Sequence, residues 1–388
     1  MPWKETCAMD ERKIFIEDWL RGEYTMAELC RQYEITRKTG YKWVARFLEH
    51  GYGGLEDLSR APKNHPNAVS DEIEKLVVGA RGDHPTWGPK KLKIVLEEMY
   101  PGLRIPSEST IGAILKRHGL TVPRRRRRHC EPSSQPFAEC DGPNSVWCAD
   151  FKGWFRTGDG LRVDPLTISD AYSRYLIRCQ GMRPVTVEGV QRIFEAAFRE
   201  FGMPLRIRTD NGSPFAATGL GGLSRLSVWW IRLGITPERI EPGKPYQNGR
   251  HERMHLTLKQ ETANPPARNL RAQQRVFDAF QNELNNERPH EAIGLIPPAA
   301  LYELSPRIYP GRLPPIRYPE TMVTRKVQKR GEIRWGGSNV FISKTLAGEI
   351  LGLEPIDDRY FNIYLAWMQI GRFDSHRLVV LRNSRKSS

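Results

Sequence analysis

The chain has 388 residues, more than one ordinary hydrophobic core accommodates, so about two to four domains are expected. Lysine and arginine number 60 against 45 aspartates and glutamates, and the resulting net charge of +15 points to a polyanion as partner. No apolar run approaches the ~18 residues of a membrane helix, and "MPWKETCAMDERKIF" lacks the apolar stretch of a leader, so a cytoplasmic chain without a membrane partner is expected. Six scattered cysteines (Cys7, Cys30, Cys130, Cys140, Cys148, Cys179) form no C-x-x-C pair and read as reduced thiols, neither a disulfide framework nor a zinc finger.

Residues 11 to 50 read as helices. In "TMAELCRQYEITRKTGYKWVARF" (25–47) a short helix carries Ala27, Leu29 and Cys30, a turn falls near Glu34-Ile35, and a second helix starts on Thr36, a good N-cap. Val44 and Phe47 face its core, which leaves Arg37, Lys38, Tyr41 and Lys42 for DNA. This is the layout of a helix-turn-helix whose second helix suits the major groove. Any small helical hairpin shares the apolar pattern; the basic second helix is what favours DNA.

A second helical unit covers about 70 to 120. "WGPKKLKIVLEEMY" forms one helix, and "PSESTIGAILKRHGL" a second that begins on a Ser or Thr cap, carries Lys116 and Arg117 in its last turn and ends at Gly119. Tandem DNA-binding units are therefore expected. Next, "PRRRRRHCEPSSQP" (123–136) sets Arg124, Arg125, Arg126, Arg127 and Arg128 in a row. Such a block cannot bury itself; between DNA-facing domains it would lie along phosphates.

From 141 the texture changes. "VWCADFKGWF", "LRVDPLTISD" and "SRYLIRCQ" read as three antiparallel strands, followed by a helix on which Val190, Ile193, Phe194, Ala197, Phe198 and Phe201 recur at helical spacing. "PLRIRTD" is a strand ending at Asp210, Leu223 to Leu233 a helix, "GITPERI" a fifth strand. A Gly/Pro loop then leads to a helix holding "GRHERMH". Strands first, then alternating helix and strand, indicate a mixed sheet with helices packed on it. After a helix carrying Val276, Phe277, Phe280 and Leu284, "PRIYPGRLPPIRYP" reads as a linker, and residues 321–383 show short β runs broken by the hairpin-like "KRGE" and "WGGSN".

Three carboxylates stand out by position. Asp150 lies within the first strand, where an unpaired charge among apolar residues is costly. Asp210 ends a strand before Asn-Gly, and Glu252 occupies the first turns of a helix. If the first and fourth strands are neighbours and that helix crosses their ends, the three meet. Such a cluster repels itself unless divalent cations neutralise it, and hard oxygen donors select Mg²⁺ or Mn²⁺. Taken singly each is an ordinary surface acid, Asp170 is a turn residue, and Trp229-Trp230 is helix packing.

"HERMH" (251–255) also matches the His-Glu-x-x-His of zinc proteases. Gly249-Arg250 gives His251 a polar first turn, and the Gly and His of the extended protease motif are replaced by Leu258 and Glu261. The match reads as a coincidence around Glu252, with both histidines dispensable to within about tenfold.

"VWCADFKGWF", "TDNGSPF", "PGKPYQNGRHERMHLTLKQE" and "NERPHEAIGLIPPAALY" resemble successive blocks of the Asp-Asp-Glu transposases and retroviral-type integrases, and more narrowly the bacterial insertion-sequence transposases with an integrase core. The resemblance spans nearly the whole chain. It implies a multidomain α+β protein: helix-turn-helix domains at 1–60 and 61–122, an Arg-rich linker at 123–140, a ribonuclease-H-like core with a mixed five-stranded sheet at 141–303, a Pro-rich linker at 304–320 and a small β-barrel at 321–383. It implies Asp150, Asp210 and Glu252 as ligands of two Mg²⁺ or Mn²⁺ ions. It places Lys259, seven positions after the glutamate and on the same helix face, at the DNA end, with Asn248 and Arg253 as further candidate contacts. The implied activity is binding of terminal inverted repeats, hydrolysis of a phosphodiester at the element end, and joining of the 3′ hydroxyl to target DNA. The implied partners are double-stranded DNA, at element ends and target, and at least one further copy of the chain, in a nucleoid-associated setting. The 41 residues between Asp210 and Glu252 exceed the usual spacing, and "SPFAATGLGGLSRLSVWW" is where the extra length falls. A DNA-binding regulator with an inert core is the competing class; the intact acidic set argues against it.

Overall fold

The computed structural model describes residues 7–59, 68–121, 140–217, 219–240 and 249–381, the side chains of 249–252 excepted. The chain divides into two compact units, Met1–Ala68 and Val69–Ser388.

In the first unit, helices α1 (Ala8–Arg21), α2 (Met26–Gln32) and α3 (Arg37–His50) enclose Phe15, Ile16, Leu29, Cys30, Trp43, Val44 and Leu55. Thr25 caps α2 in a capping box with Glu28, and the Thr36 hydroxyl accepts the Thr39 amide at 3.2 Å to start α3. Between them the chain reverses at Glu34, whose φ of 52° is left-handed and costs a non-glycine residue about 1 kcal/mol.

The second unit opens with α4 (Asp71–Asp83), α5 (Pro89–Met99) and α6 (Glu108–Arg117) around Val77, Trp87, Leu92, Leu96, Ile111, Ile114 and Leu115. Ser70 and Ser107 cap α4 and α6, and α5 begins on Pro89, where the missing N–H costs nothing. Residues 100–107 join α5 to α6, a longer connection than the tight turn between α2 and α3.

The sheet that follows comprises β1 (Val146–Phe151), β2 (Phe155–Arg156), β3 (Arg162–Asp170), β4 (Leu176–Met182), β5 (Arg206–Thr209) and β6 (Thr236–Arg239). Its long strands run β4-β3-β1-β5-β6. The first three are antiparallel, β5 and β6 lie parallel to β1, and the two-residue β2 is a sixth strand on β3, one more than the five expected. Helices α7 (Val187–Phe201) and α8 (Arg225–Arg232) bring Val190, Phe194, Phe198, Trp229 and Trp230 onto Trp147, Ile168 and Ile207, so the tryptophan pair is packing. A separate cluster joins β4 to α9 (Gly249–Thr262) and α10 (Leu270–Asn286) through Leu258, Phe277, Phe280 and Leu284. Helix α10 also covers the outer edge of β4 with amide side chains. Gln274 accepts from Gly181 N (2.9 Å) and donates to Cys179 O (2.8 Å), and Asn285 accepts from Leu176 N (2.7 Å) and donates to Leu176 O (3.0 Å). Gln281 repeats the pattern at Cys179 N and Ile177 O. Along this stretch the side chains take the place of a neighbouring strand and occupy edge groups that another chain would otherwise pair with.

The C-terminal strands correct the expected barrel. β7 (Val323–Lys326), β10 (Ile350–Pro355), β11 (Tyr360–Leu365), β12 (Met368–Asp374) and β13 (Val379–Leu381) form an open antiparallel sheet in the order β13-β12-β11-β10-β7. Strands β8 (Glu332–Trp335) and β9 (Ser338–Phe341) form a separate hairpin turning on Gly336-Gly337, both at positive φ. Among the described residues the sheet does not close on itself, because its apolar face is already covered. Leu220, Leu223, Val228 and Ile231 pack with Val340, Leu346, Leu351, Leu353, Ile363, Ile370 and Phe373. The extra length after Asp210 is therefore a seat for this sheet. Trp335 belongs to the same core, edge-on to Phe361 and Phe373. The Pro-rich segment before it is pinned rather than loose: Arg307 donates to Leu233 O and Gly234 O at 3.2 and 2.9 Å, and the Tyr318 hydroxyl donates to Ile350 O at 2.8 Å. No described helix is long and apolar enough to cross a membrane, and no disulfide joins the described cysteines.

Candidate active site

Strand β1 runs parallel to β5 with Ala149 opposite Thr209, so the next position on each strand holds Asp150 and Asp210. Paired positions on neighbouring strands send their side chains to one face about 4.8 Å apart, here at the carboxyl ends of parallel strands, where α/β sheets place ligands. The Asp210 carboxylate is fixed locally: Oδ1 accepts the Gly212 amide at 3.1 Å, and a Cβ on Gly212 would lie 2.9 Å from Oδ2, so a larger residue there would displace the carboxylate. Asn211 ties the turn to the end of β6 by donating to Ile240 O at 2.7 Å.

Asp150 is held from the other side. Thr167, its partner on β3, donates to Asp150 O at 3.1 Å, and the Thr167 oxygen lies 2.7 Å from His255 Nε2. With the hydroxyl proton committed to the carbonyl, the oxygen accepts from Nε2–H; Nδ1 then faces Asp150 Oδ2 at 3.9 Å, a contact that attracts only when Nδ1 also carries a proton. His255 is buried, with 5% of it exposed. The inward face of α9 reads His255, Leu258, Thr262, and the histidine takes the place an apolar residue would fill. The contact with Thr167 was not legible in the sequence; the signal that existed was the helical spacing of His255 from Leu258 and Thr262.

Glu252 lies in the first turn of α9, one turn before His255; its side chain and that of His251 lie outside the described residues. So do Asn248 and Arg124 to Arg128. Among the described residues no group of three His, Cys, Asp or Glu converges as a metal site. Two carboxylates one strand spacing apart repel by about 3 kcal/mol at an effective dielectric of ~20, and a hard divalent cation reverses the sign, so the donor chemistry fits Mg²⁺ or Mn²⁺.

Asp170 stands three register positions from Asp150 and is fully engaged in structure. It accepts from Asn144 N (2.8 Å), Ser173 N (2.8 Å) and Ser173 Oγ (2.7 Å). Burial pushes its carboxyl above the usual range, against the pull of those donors. On α3, Arg37, Lys38, Tyr41 and Lys42 are all exposed. Lys116 and Arg117 are exposed at the end of α6, where Arg117 is paired to Glu74. Arg253 and Lys259 are exposed on α9.

The chain matches the integrase core domain family over residues 141–245 and a second integrase core family over 233–298. It matches a helix-turn-helix domain over 11–63 and a homeodomain-like domain over 39–115. The chain thus carries integrase-core and helix-turn-helix domains, and it is similar to proteins of bacterial insertion elements. An insertion element IS476 uncharacterized 39.2 kDa protein of Xanthomonas euvesicatoria is 27% identical over 290 residues, 73% of this chain and 79% of the relative. An insertion element IS407 uncharacterized 31.7 kDa protein of Burkholderia multivorans is 29% identical over 250 residues, 63% of this chain and 87% of the relative. Among solved structures, the HTLV-2 integrase catalytic core domain in complex with magnesium overlays with a TM-score of 0.31 at 16% identity, over 42% of this chain and 99% of that one. A chain of the simian T-cell lymphotropic virus intasome in complex with PP2A regulatory subunit B56 gamma gives 0.36 at 16% identity, over 80% of this chain and 99% of that one. At that level of overlap the strand order of the sheet, rather than the superposition, carries the ribonuclease-H-like fold. The zinc-protease pattern at 251–255 lies within the segment matched by the integrase core family.

Proposed function

We propose that this integrase-core protein is a Mg²⁺-dependent DNA transposase that hydrolyses a phosphodiester at its element's ends and joins the freed 3′ hydroxyl to target DNA. The observation that carries the reading is the register of Asp150 and Asp210 at the carboxyl ends of adjacent parallel strands, with the first turn of α9 following in the same core. Asp150, Asp210 and Glu252 would hold the ions. Two divalent cations would activate the attacking oxygen and offset charge on the leaving oxygen of the phosphodiester. The chain's own residues supply the rest: Gly212 N–H and the Asn211 tie would fix one carboxylate, Thr167 would hold the backbone of Asp150 and the ring of His255 beside the other, and Lys259 and Arg253 would offer cations to the DNA end. No Ser, Tyr or Cys nucleophile enters. Residues 1–60 and 61–122 would bind the terminal repeats, 123–140 would follow the backbone between them and the core at 141–303, and 304–320 would lead to the sheet at 321–383. Joining two ends calls for at least two protomers on DNA.

The direct test is incubation with duplexes carrying the element's own ends. In Mg²⁺ or Mn²⁺ a nick leaving a 3′ hydroxyl at the element boundary is expected; intact DNA in both metals leaves only a DNA-binding regulator. The exposed face of α3 gives a separate expectation. Arg37→Ala with Lys38→Ala should weaken end binding and lower the slope of log affinity against log salt by about two, since each lost phosphate contact removes ~0.9. An unchanged slope, measured by fluorescence anisotropy across salt, removes those residues from the phosphate interface.

A further inference from the structure

Helix α9 is held at its far end by residues that the integrase reading does not use. Glu261, in its last turn, accepts from Arg288 Nη1 at 2.8 Å and from the Thr86 hydroxyl, and Arg288 Nη2 also donates to Thr86 Oγ1 at 3.0 Å. The ion pair is secluded, with 7% of the Arg288 side chain and 17% of that of Glu261 exposed. Thr86 comes from the loop His84–Gly88 that joins α4 to α5 in the second helical unit. The loop is packed here as well: Trp87, 1% exposed, stacks on His84 at 3.8 Å and lies 5.9 Å from the Arg288 guanidinium, and His84 Nδ1 comes within 3.4 Å of the Glu283 carboxylate of α10 without a hydrogen bond between them. Burial, with Arg288 close by, pushes Lys91 on α5 down to about 8, and burial pushes His290 down to about 4, as expected of a dry seam between the helical unit and the core.

The geometry has a mechanical consequence. Around α9, His255, Leu258 and Thr262 face the core, and Glu261 lies on the flank facing the helical unit. The core contacts resist lifting of the helix, while the flank contact resists its rotation and sliding. Glu252 lies on the same helix, so a shift of the loop at Thr86 can reach the glutamate through α9 alone.

We propose that Thr86, acting through Glu261 and Arg288, is a positioning residue: it sets the seat of α9, and hence of Glu252, and makes cleavage respond to DNA held by α4–α6. The proposal rests on the transposase reading above. Its test uses the full chain, single-turnover nicking at saturating DNA, a Mg²⁺ titration, and two duplexes of equal length, one carrying the element end and one unrelated. Thr86→Val keeps the shape and removes the hydroxyl. It should bind end DNA within about twofold of the wild-type protein, nick it about tenfold more slowly, need more Mg²⁺ for half-maximal rate, and lose preference for the end over the unrelated duplex. Thr86→Ser, which keeps the hydroxyl, should restore rate and Mg²⁺ midpoint to within about threefold. Glu261→Gln keeps the shape without the charge and should fall with Thr86→Val. A Thr86→Val protein with wild-type rate, midpoint and end preference overturns the proposal, as does one that only binds DNA more weakly. A wild-type protein that nicks neither duplex defeats the transposase reading and this proposal with it.

Discussion

Asp210→Asn should bind element-end DNA with wild-type affinity and lose strand cleavage by about a thousandfold or more, some 4 kcal/mol of transition-state stabilisation. The amide has the shape of the carboxylate and keeps an oxygen for the Gly212 amide, 3.1 Å away in the native turn, so the loop and the tie from Asn211 to Ile240 O persist. What disappears is one negative charge opposite Asp150 at the ends of β5 and β1. The helical units lie on other segments and keep their basic faces. Asp150→Asn should behave alike, since its backbone carbonyl, not its carboxylate, accepts from Thr167. The measurement is a pair of curves, DNA binding by anisotropy and single-turnover nicking in Mg²⁺. Nicking within tenfold of wild type in the Asp210→Asn protein would remove that carboxylate from the chemistry.

The residues of "HERMH" should separate into three classes of loss. Glu252→Gln is expected to abolish nicking, because a metal ligand's charge is gone. His251→Ala is expected to stay within about tenfold. His255→Ala should fall about 10- to 100-fold and shift the Mg²⁺ requirement upward, the usual cost of removing a residue that orients a ligand. The tenfold limit expected of both histidines from sequence thus applies to His251 alone. His255 is buried, its Nε2 sits 2.7 Å from the Thr167 hydroxyl and its Nδ1 3.9 Å from the Asp150 carboxylate. Alanine leaves a void beside the Asp150 carboxylate and removes the partner of the Thr167 hydroxyl. A zinc site would lose activity equally at both histidines and regain it with added zinc. Equal loss of that kind, or a His255→Ala protein with native rate and native Mg²⁺ midpoint, overturns the assignment of His255 as the residue that orients Asp150.

The sequence by itself determined what depends on near neighbours. Thr36 and Ser107 start helices because a side-chain oxygen three residues before an amide is enough to cap it. Gly336-Gly337 turns a hairpin because only a few dihedrals are involved. The stripe Val190, Phe194, Ala197, Phe198, Phe201 announces α7 by its period, and the chain order of strands places Asp150 within one and Asp210 at the end of another. Whatever is decided by polar groups meeting across the fold was not legible. Thr167 and His255 are 88 positions apart, Thr86 and Glu261 175, and Thr86 and Arg288 202. Gln274, Gln281 and Asn285 look like the wet face of α10 until β4 offers its unpaired edge. Residues 321–383 alternate as a closed barrel would, and only the seat formed by Leu220, Leu223, Val228 and Ile231 makes an open sheet sufficient. Periodicity reports which face of an element avoids water. It carries no record of which distant hydroxyl, carboxylate or apolar face will be waiting there, because that partner is chosen by packing rather than by spacing along the chain.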